Sequence, residues 1–397
     1  MREPGVRIDR GDKMECSELI KTIKKGEDSK TQFKERIDSI DALAAEICAF
    51  ANTQGGRIIV GVTDKGELLG VDAIQRLNHT ISNAASGKLE PPLSVTTENI
   101  LCQDKLVVII NIPRGENKPY AANRTDYWIK VGADKRRATR EELRWLMQAS
   151  GTIYADEMII PATSVNDIDL FVFRDFYERE YGTSIEQSGL PLEKLLTHLK
   201  LMKEGCLTLA GVLIFGDKPS RIRPQYVVKA VAFPGTDVCG NEYLDSEDFG
   251  GRLFNQYKDA MAFLKRNLRK VQRNQNVNFP GILEIPEIAM EEAVVNALVH
   301  RDYFIDSSIR IFIFDDRVEI ISPGKLPNTA TIDNIKQGIQ IARNPILLSF
   351  VPKLKIPYHG IGSGIRRMMA ECRIAGVKEP EFIEDVNLQE FKVLFRK

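Results

Sequence analysis

Met290-Glu291-Glu292-Ala293-Val294-Val295-Asn296-Ala297-Leu298-Val299-His300-Arg301-Asp302 is the stretch on which the architecture turns. On a helix, Glu292, Asn296 and His300 stand at i, i+4 and i+8, so a carboxylate, an amide and an imidazole share one stripe. Val294, Val295, Leu298 and Val299 fill much of the remaining surface and fit burial against a sheet. Polar groups beside a buried face are costly unless something polar meets them. A metal–phosphate group is one such partner: a Glu four residues before an Asn can align a water and hold an oxygen-seeking cation such as Mg²⁺. Plain solvent on an amphipathic helix is the other.

Further along, Tyr358-His359-Gly360-Ile361-Gly362-Ser363-Gly364-Ile365-Arg366-Arg367-Met368-Met369 is a G-x-G-x-G run opening onto a helix-like stretch. Glycines allow close backbone approach, and a helix N-terminus offers unpaired N–H groups to phosphate. Alone, such a run often marks only a tight turn. Between the two motifs, Ile309 to Ile321 reads as a β-hairpin turning at Asp315-Asp316, with a loop at Pro323-Gly324.

This order resembles the GHKL, or Bergerat-fold, ATPases in the divergent form found beside Schlafen AlbA-like domains, over residues 281 to 397. The resemblance implies ATP and Mg²⁺ as cofactors, with slow hydrolysis. It implies Glu292 as the water-activating base and Asn296 as the magnesium ligand. Gly360, Gly362 and Gly364 correspond to the phosphate-lid glycines, and His300, Ser322 and Gly324 fall at the nucleotide site. Where the family usually has Asp-x-Gly-x-Gly, with the Asp reading the adenine amino group, this chain has Ser322-Pro323-Gly324-Lys325-Leu326. A hydroxyl therefore stands in for a carboxylate.

The chain has 397 residues, 43% hydrophobic and 28% charged, which leaves room for two or three domains. Lys+Arg and Asp+Glu balance at 55 each, so any nucleic-acid footprint is local. Absence of a long apolar run and of a signal-peptide core gives the expectation of no membrane span and no export, hence a cytoplasmic protein. Cys16, Cys48, Cys102, Cys206, Cys239 and Cys372 lack C-x-x-C spacing. Reduced thiols are expected, and no structural zinc.

In the N-terminal third, a helix from Cys16 to Lys25 ends at Gly26, and a polar segment through Gln32-Phe33-Lys34 suits a sheet edge. A helix over Asp41–Ala51 precedes the turn Asn52-Thr53-Gln54-Gly55-Gly56, the buried strand Arg57–Val62 and a hairpin turn at Asp64-Lys65-Gly66. Strands follow at Leu106–Ile112 and Tyr127–Val131. The blocks Glu27…Gln32-Phe33-Lys34, Ala49–Gly56 and Val60–Gly66 with Gly70 resemble, in this order, the Schlafen AlbA-like domain, over residues 16 to 147. Nuclease members place two Glu in the first block and an Asp in the third around a divalent metal. Here Glu27 and Asp64 match while Gln32 replaces the second Glu, which implies a degenerate Mg²⁺ or Mn²⁺ centre rather than an active one. Exposed turn carboxylates are the alternative for Glu27 and Asp64. Lys130, Lys135, Arg136, Arg137 and Arg140, beside Tyr127 and Trp128, are the best nucleic-acid candidates, with Lys118 and Arg124 as extensions. A solvated basic face is the alternative.

Residues 151 to 280 carry alternating helix and strand patterns without a chemical motif. Leu207–Gly216 fits a buried strand or helix, and Tyr226–Phe233 fits a strand. The expected fold is α+β and multidomain: a flexible tail (1–15), a Schlafen AlbA-like α/β domain (16–150), a mixed α/β connector (151–280) and a GHKL-like α/β sandwich (281–397). Some longer relatives end in a winged-helix DNA reader; the final strand-like Phe391–Lys397 gives no such expectation here. The functional expectation is an ATP-binding, nucleic-acid-binding regulatory or phage-defence protein, a homo-oligomer by resemblance. The alternative is a Schlafen-like metal-dependent endonuclease acting on RNA or single-stranded DNA, and a scaffold with decayed sites is the third reading.

Overall fold

A computed structural model describes residues 14–238, 242–272, 281–327, 330–339, 341–358 and 362–397. Residues 1–13 of the expected tail, the lid glycine Gly360 and Cys239 lie outside the described residues. The chain divides into two compact units, Met1–Thr152 and Ile153–Lys397.

In the first unit the apolar run before Gly61 becomes a strand because both of its faces are covered. The sheet contains β1 (Thr31–Lys34), β2 (Gly56–Val60), β3 (Thr96–Cys102) and β4 (Lys105–Ile112), in the order β1-β2-β4-β3. β1 pairs parallel to β2 at the sheet edge, and the other pairings are antiparallel. Ile58, Val60, Val108 and Ile110 point to one face, packed with Leu43, Ile47 and Phe50 of α2 (Ile40–Asn52). Ile59, Val107 and Ile109 point to the other, packed with Leu19 of α1 (Cys16–Lys25). Period-two alternation between two apolar layers explains why the strand reads as continuously hydrophobic. A hairpin of β5 (Trp128–Val131) and β6 (Asp134–Arg137) leads into α3 (Arg140–Ala149), which starts with a capping box of Thr139 and Glu142.

One sequence expectation is corrected here. Cys16 and Cys102 form a disulfide, with Cα atoms 5.1 Å apart, although reduced thiols were expected. The residues are 86 apart in sequence. Only the packing of α1 across the end of β3 brings them together, and spacing along the chain carries no trace of that. Cys48, Cys206 and Cys372 are free.

In the second unit, α4 (Leu170–Tyr181) is capped by Asp169, whose side chain accepts from Val172 N–H. The ambiguous apolar run is α5 (Leu209–Phe215), a helix because the Thr208 side chain accepts from Gly211 N–H and starts it. Phe173 and Phe176 of α4 meet Phe215, and Phe176 and Phe215 meet Phe350.

The main sheet holds β7 (Val228–Ala232), β8 (Asp245–Phe249), β9 (Ile309–Ile313), β10 (Arg317–Pro323), β11 (Glu381–Asp385) and β12 (Glu390–Arg396), in the order β8-β7-β9-β10-β12-β11. β7 and β9 are parallel; every other pair is antiparallel. Hydrogen bonding therefore crosses the expected boundary at residue 281, because Val228 to Ala232 pair residue by residue with Ile309 to Ile313. Ile309, Ile311, Ile313, Val318, Ile320, Val393 and Phe395 pack beneath α6 (Leu253–Asn267), α7 (Glu287–His300) and α8 (Gly364–Ile374). This α/β sandwich places one side of α7 over the sheet and sets α8 beside it. Among the described residues, no helix is long and apolar enough to cross a membrane.

Candidate functional site

The stripe predicted on 290–302 exists, but it does not face open water. Glu292 is 2% exposed, while Asn296 and His300 are half-buried. A cavity of about 130 Å³ lies against them. Glu292, Asn296 and His300 of α7 line it together with Ser322 in β10 and Gly324 just after it, and with Gly362 before α8 and Gly364 at its first position. Residues some seventy positions apart in sequence thus meet at one site. Ile320, Ile335, Met368 and Phe382 are among its apolar walls.

Glu292 is held on three sides. Arg367 Nη2 donates to its Oε2 at 2.6 Å, and Asn296 Nδ2 donates to its Oε1 at 3.3 Å. On the third side is Gly364, where an added Cβ would fall 1.7 Å from Glu292 Oε1. Gly362 has φ +68°, and a Cβ there would fall 2.2 Å from the carbonyl oxygen of Gly338, so this turn needs glycine for both conformation and space. Since a carboxylate only accepts, the Asn296 amide turns its nitrogen toward Glu292 and its oxygen the other way.

The far end of the cavity is fixed by side chains that cap α7. Arg343 Nη1 donates to the His300 carbonyl at 3.1 Å and its Nη2 to the Lys325 carbonyl at 2.7 Å. Asn344 Nδ2 donates to the carbonyls of Val299 at 2.9 Å and Arg301 at 3.0 Å. These bonds satisfy the C-terminal carbonyls that a helix leaves open. Sequence reasoning missed both residues, which sit in Ile341-Ala342-Arg343-Asn344 without any local motif. Ser322 Oγ donates to the Ala297 carbonyl at 3.1 Å, so its lone pairs remain for the cavity.

His300 does not supply a positive charge. Loss of hydration, reinforced by the Arg343 guanidinium, lowers its pKa to about 4. The unfolded chain then binds a proton between its ordinary value and about pH 4 that the folded chain does not, so this contribution to stability is lost as pH falls. From pH 7 to pH 5 the loss is about 2 kcal/mol. Asp156, fully buried and raised to about 6 by burial, acts with the opposite sign. Urea denaturation of wild type against His300→Gln isolates the histidine: the variant should lose about 2 kcal/mol less over that interval, and parallel pH profiles would contradict the assignment.

In the first unit the expected metal residues are occupied by each other. Glu27 Oε1 accepts from Gln32 Nε2 at 2.5 Å and from Phe33 N–H at 2.6 Å. Gln32 Oε1 accepts from Lys130 Nζ at 2.6 Å. Lys130, 7% exposed, also donates to the Ala133 carbonyl and stands 4.9 Å from the Phe50 ring centre. Burial lowers its pKa, against the pull of Glu46 and Glu27. An ammonium bonded to Gln32 and attracted by Glu27 repels a second cation, so Glu27 and Gln32 do not fit a divalent metal. Asp64 is exposed, in the turn closed by the Gly66 N–H donating to the Thr63 carbonyl at 2.8 Å.

The basic run is largely paired. Lys135 Nζ meets Glu46 Oε1 at 2.6 Å, and Arg137 meets Asp126 at 2.9 Å. Arg136 makes a two-pronged contact with Glu142, both bonds at 2.8 Å, and this contact pulls the Glu142 pKa down to about 2. Arg137 remains 69% exposed over the Trp128 ring, and Arg140 is exposed at the start of α3. Lys118 is buried and donates to the carbonyls of Asn52 at 2.9 Å and Thr53 at 2.7 Å, so it caps α2 rather than extending the patch.

Residues 27–139 match the family described as "Schlafen, AlbA_2", and residues 306–395 match the family described as "Putative ATP-dependent DNA helicase recG C-terminal". The second match begins after Glu292, Asn296 and His300, which therefore rest on geometry. The DIP2311 protein from Corynebacterium diphtheriae is 22% identical with a TM-score of 0.47, over 93% of this chain and 75% of that one. The N-terminal domain of a "Putative ATP-dependent DNA Helicase RecG-related Protein" from Nitrosomonas europaea is 17% identical with a TM-score of 0.25, over 32% of this chain and 95% of that one. No curated protein matches the sequence. The chain thus joins a Schlafen AlbA_2 domain, in its first unit, to a domain of the recG C-terminal family in its second.

Proposed function

We propose that the second unit binds Mg-ATP and that the protein is a nucleotide-responsive, nucleic-acid-associated regulator. The observation that carries this reading is the meeting of Glu292, Asn296, Gly362 and Gly364 around one apolar-walled cavity. The donor set fits a hard cation, since the Asn296 oxygen is turned away from Glu292. Asn296 would hold Mg²⁺, which when bound neutralises phosphate charge. Glu292 would orient the attacking water, and Gly362 and Gly364 would let the backbone approach the phosphates. Ser322 Oγ, its proton already given to Ala297, can accept from an exocyclic amino group as the family's carboxylate does. Ile320, Met368 and Phe382 would enclose the base and exclude water.

Binding raises apparent stability, by about 2.7 kcal/mol at a hundred times Kd. Thermal unfolding of the full chain should shift upward with ATP and Mg²⁺, less with ADP, and least with GTP. In Asn296→Ala the magnesium-dependent part of the shift should disappear. A flat response of wild type to all three nucleotides would remove the reading.

For the first unit, exposed Arg137 and Arg140 beside Trp128 support phosphate and base contact better than the Glu27–Gln32–Lys130 cluster supports metal-dependent cutting. Nucleic-acid binding without cleavage is the reading this arrangement favours.

A further inference from the structure

Granted the nucleotide reading, on which this rests, we propose that Arg367 is a ligand of the distal phosphates, held by Glu292 until a nucleotide arrives. A carboxylate as buried as Glu292 needs a charge partner, and Arg367 provides it at 2.6 Å. Glu292 stands between Asn296 and Gly364 on the cavity wall, and Arg367 reaches that wall through Glu292 Oε2. The remaining cavity of about 130 Å³ is well below the roughly 300–1,000 Å³ of small-molecule sites. Phosphates need more room than that, and the Glu292–Arg367 pair is a charged contact at the cavity wall. The two partners differ in freedom: the Arg367 side chain is 28% exposed and can swing through solvent, whereas that of Glu292 is 2% exposed and cannot.

A phosphate presents oxygens to a guanidinium in much the same geometry as a carboxylate, so exchange preserves the contact. Glu292, once released, is available to a water on the magnesium side. Without nucleotide, the same ion pair keeps the base occupied. Position along α7 sets which phosphates are met. Ser322 binds at Ala297, five residues from Glu292, which is about 7 Å along a helix axis. The Glu292 end, where water would be oriented toward the last phosphate, is the end that Arg367 contacts, so the distal phosphates rather than the first are the ones it meets.

Calorimetric titration of the full chain with ATP, ADP and AMP in Mg²⁺ tests this. Arg367→Ala should weaken ATP and ADP about tenfold or more and leave AMP within about twofold. Glu292→Gln should bind ATP several-fold more tightly than wild type while losing any hydrolysis, because the competing carboxylate charge is gone. Equal losses for all three nucleotides in Arg367→Ala, or no tighter binding in Glu292→Gln, would overturn the assignment. Should Arg367→Ala fail to fold, Glu292→Gln decides it alone. Failure of wild type to bind any nucleotide removes the parent reading; wild-type binding with both variants unchanged removes only the role of Arg367.

Discussion

Asn52→Ala is expected to lower the stability of the first unit by about 3–5 kcal/mol, enough to unfold much of it under ordinary conditions. Asn52 is 3% exposed and uses both ends of its amide. Nδ2 donates to the carbonyls of Tyr120 at 2.8 Å and Trp128 at 2.9 Å, while Oδ1 accepts from Tyr120 N–H at 2.8 Å. One side chain at the end of α2 thereby ties Tyr120 and the first residue of β5 to the helix. Alanine would strand the Tyr120 N–H and the Trp128 carbonyl and leave the Tyr120 carbonyl only the weak Cys48 thiol donor at 3.1 Å. Each stranded group costs about 1–3 kcal/mol, partly relieved where water enters. Asn52→Asp keeps the shape and the acceptor but removes both donors and turns a carboxylate toward two carbonyls, so it should be at least as damaging. Both tryptophans, Trp128 and Trp145, lie in this unit, so their fluorescence during urea denaturation reports on it. A midpoint in Asn52→Ala within experimental error of wild type would show that the knot is not a stability determinant.

Legibility in the sequence followed periodicity. The helix over Glu287–His300, the hairpin of Ile309–Ile313 with Arg317–Pro323, and the strand Gly56–Val60 all announced themselves by apolar spacing, and each formed where expected within a few residues. The meeting of Glu292 and Asn296 with Gly362 and Gly364 was legible only through the order of motifs, since no local pattern encodes a contact across seventy residues. Leu207–Gly216 was ambiguous because a short apolar run fits a strand or a buried helix; the Thr208 cap decides it.

Other features were hidden because their cause is tertiary. Lys130 reads as part of a basic run, yet only its burial between Gln32 and Phe50 shows that its charge faces inward. Asn52 reads as a turn residue before two glycines, and its hydrogen bonds reach 68 and 76 residues away. Gln32 reads as the loss of a metal ligand. With its nitrogen on Glu27 and its oxygen on Lys130, it is instead the residue type that bridges an acceptor and a donor, which a glutamate cannot do while ionised.

Gly364→Ala is expected to destabilise the second unit by about 3 kcal/mol, although alanine is the better helix former. The added methyl would lie 1.7 Å from Glu292 Oε1 and 2.4 Å from Cδ, so the carboxylate has to leave. Gly364 has no left-handed φ, so backbone strain adds nothing and the steric term stands alone. Displacing Glu292 breaks its 2.6 Å contact with Arg367; with the arginine 28% exposed, the cost falls at the low end of the about 3–5 kcal/mol for a buried ion pair. The intrinsic preference for alanine over glycine, at most about 1 kcal/mol in a helix interior and less at a first position, does not offset that. For a unit of this size the melting temperature should fall by roughly 6–12 °C. A double-mutant cycle identifies the cause. In a Glu292→Ala background there is no carboxylate to collide with, so adding Gly364→Ala should cost less than about 1 kcal/mol. If Gly364→Ala costs the same with and without Glu292, the close approach of the lid glycine to the carboxylate is not what holds this end of the cavity together.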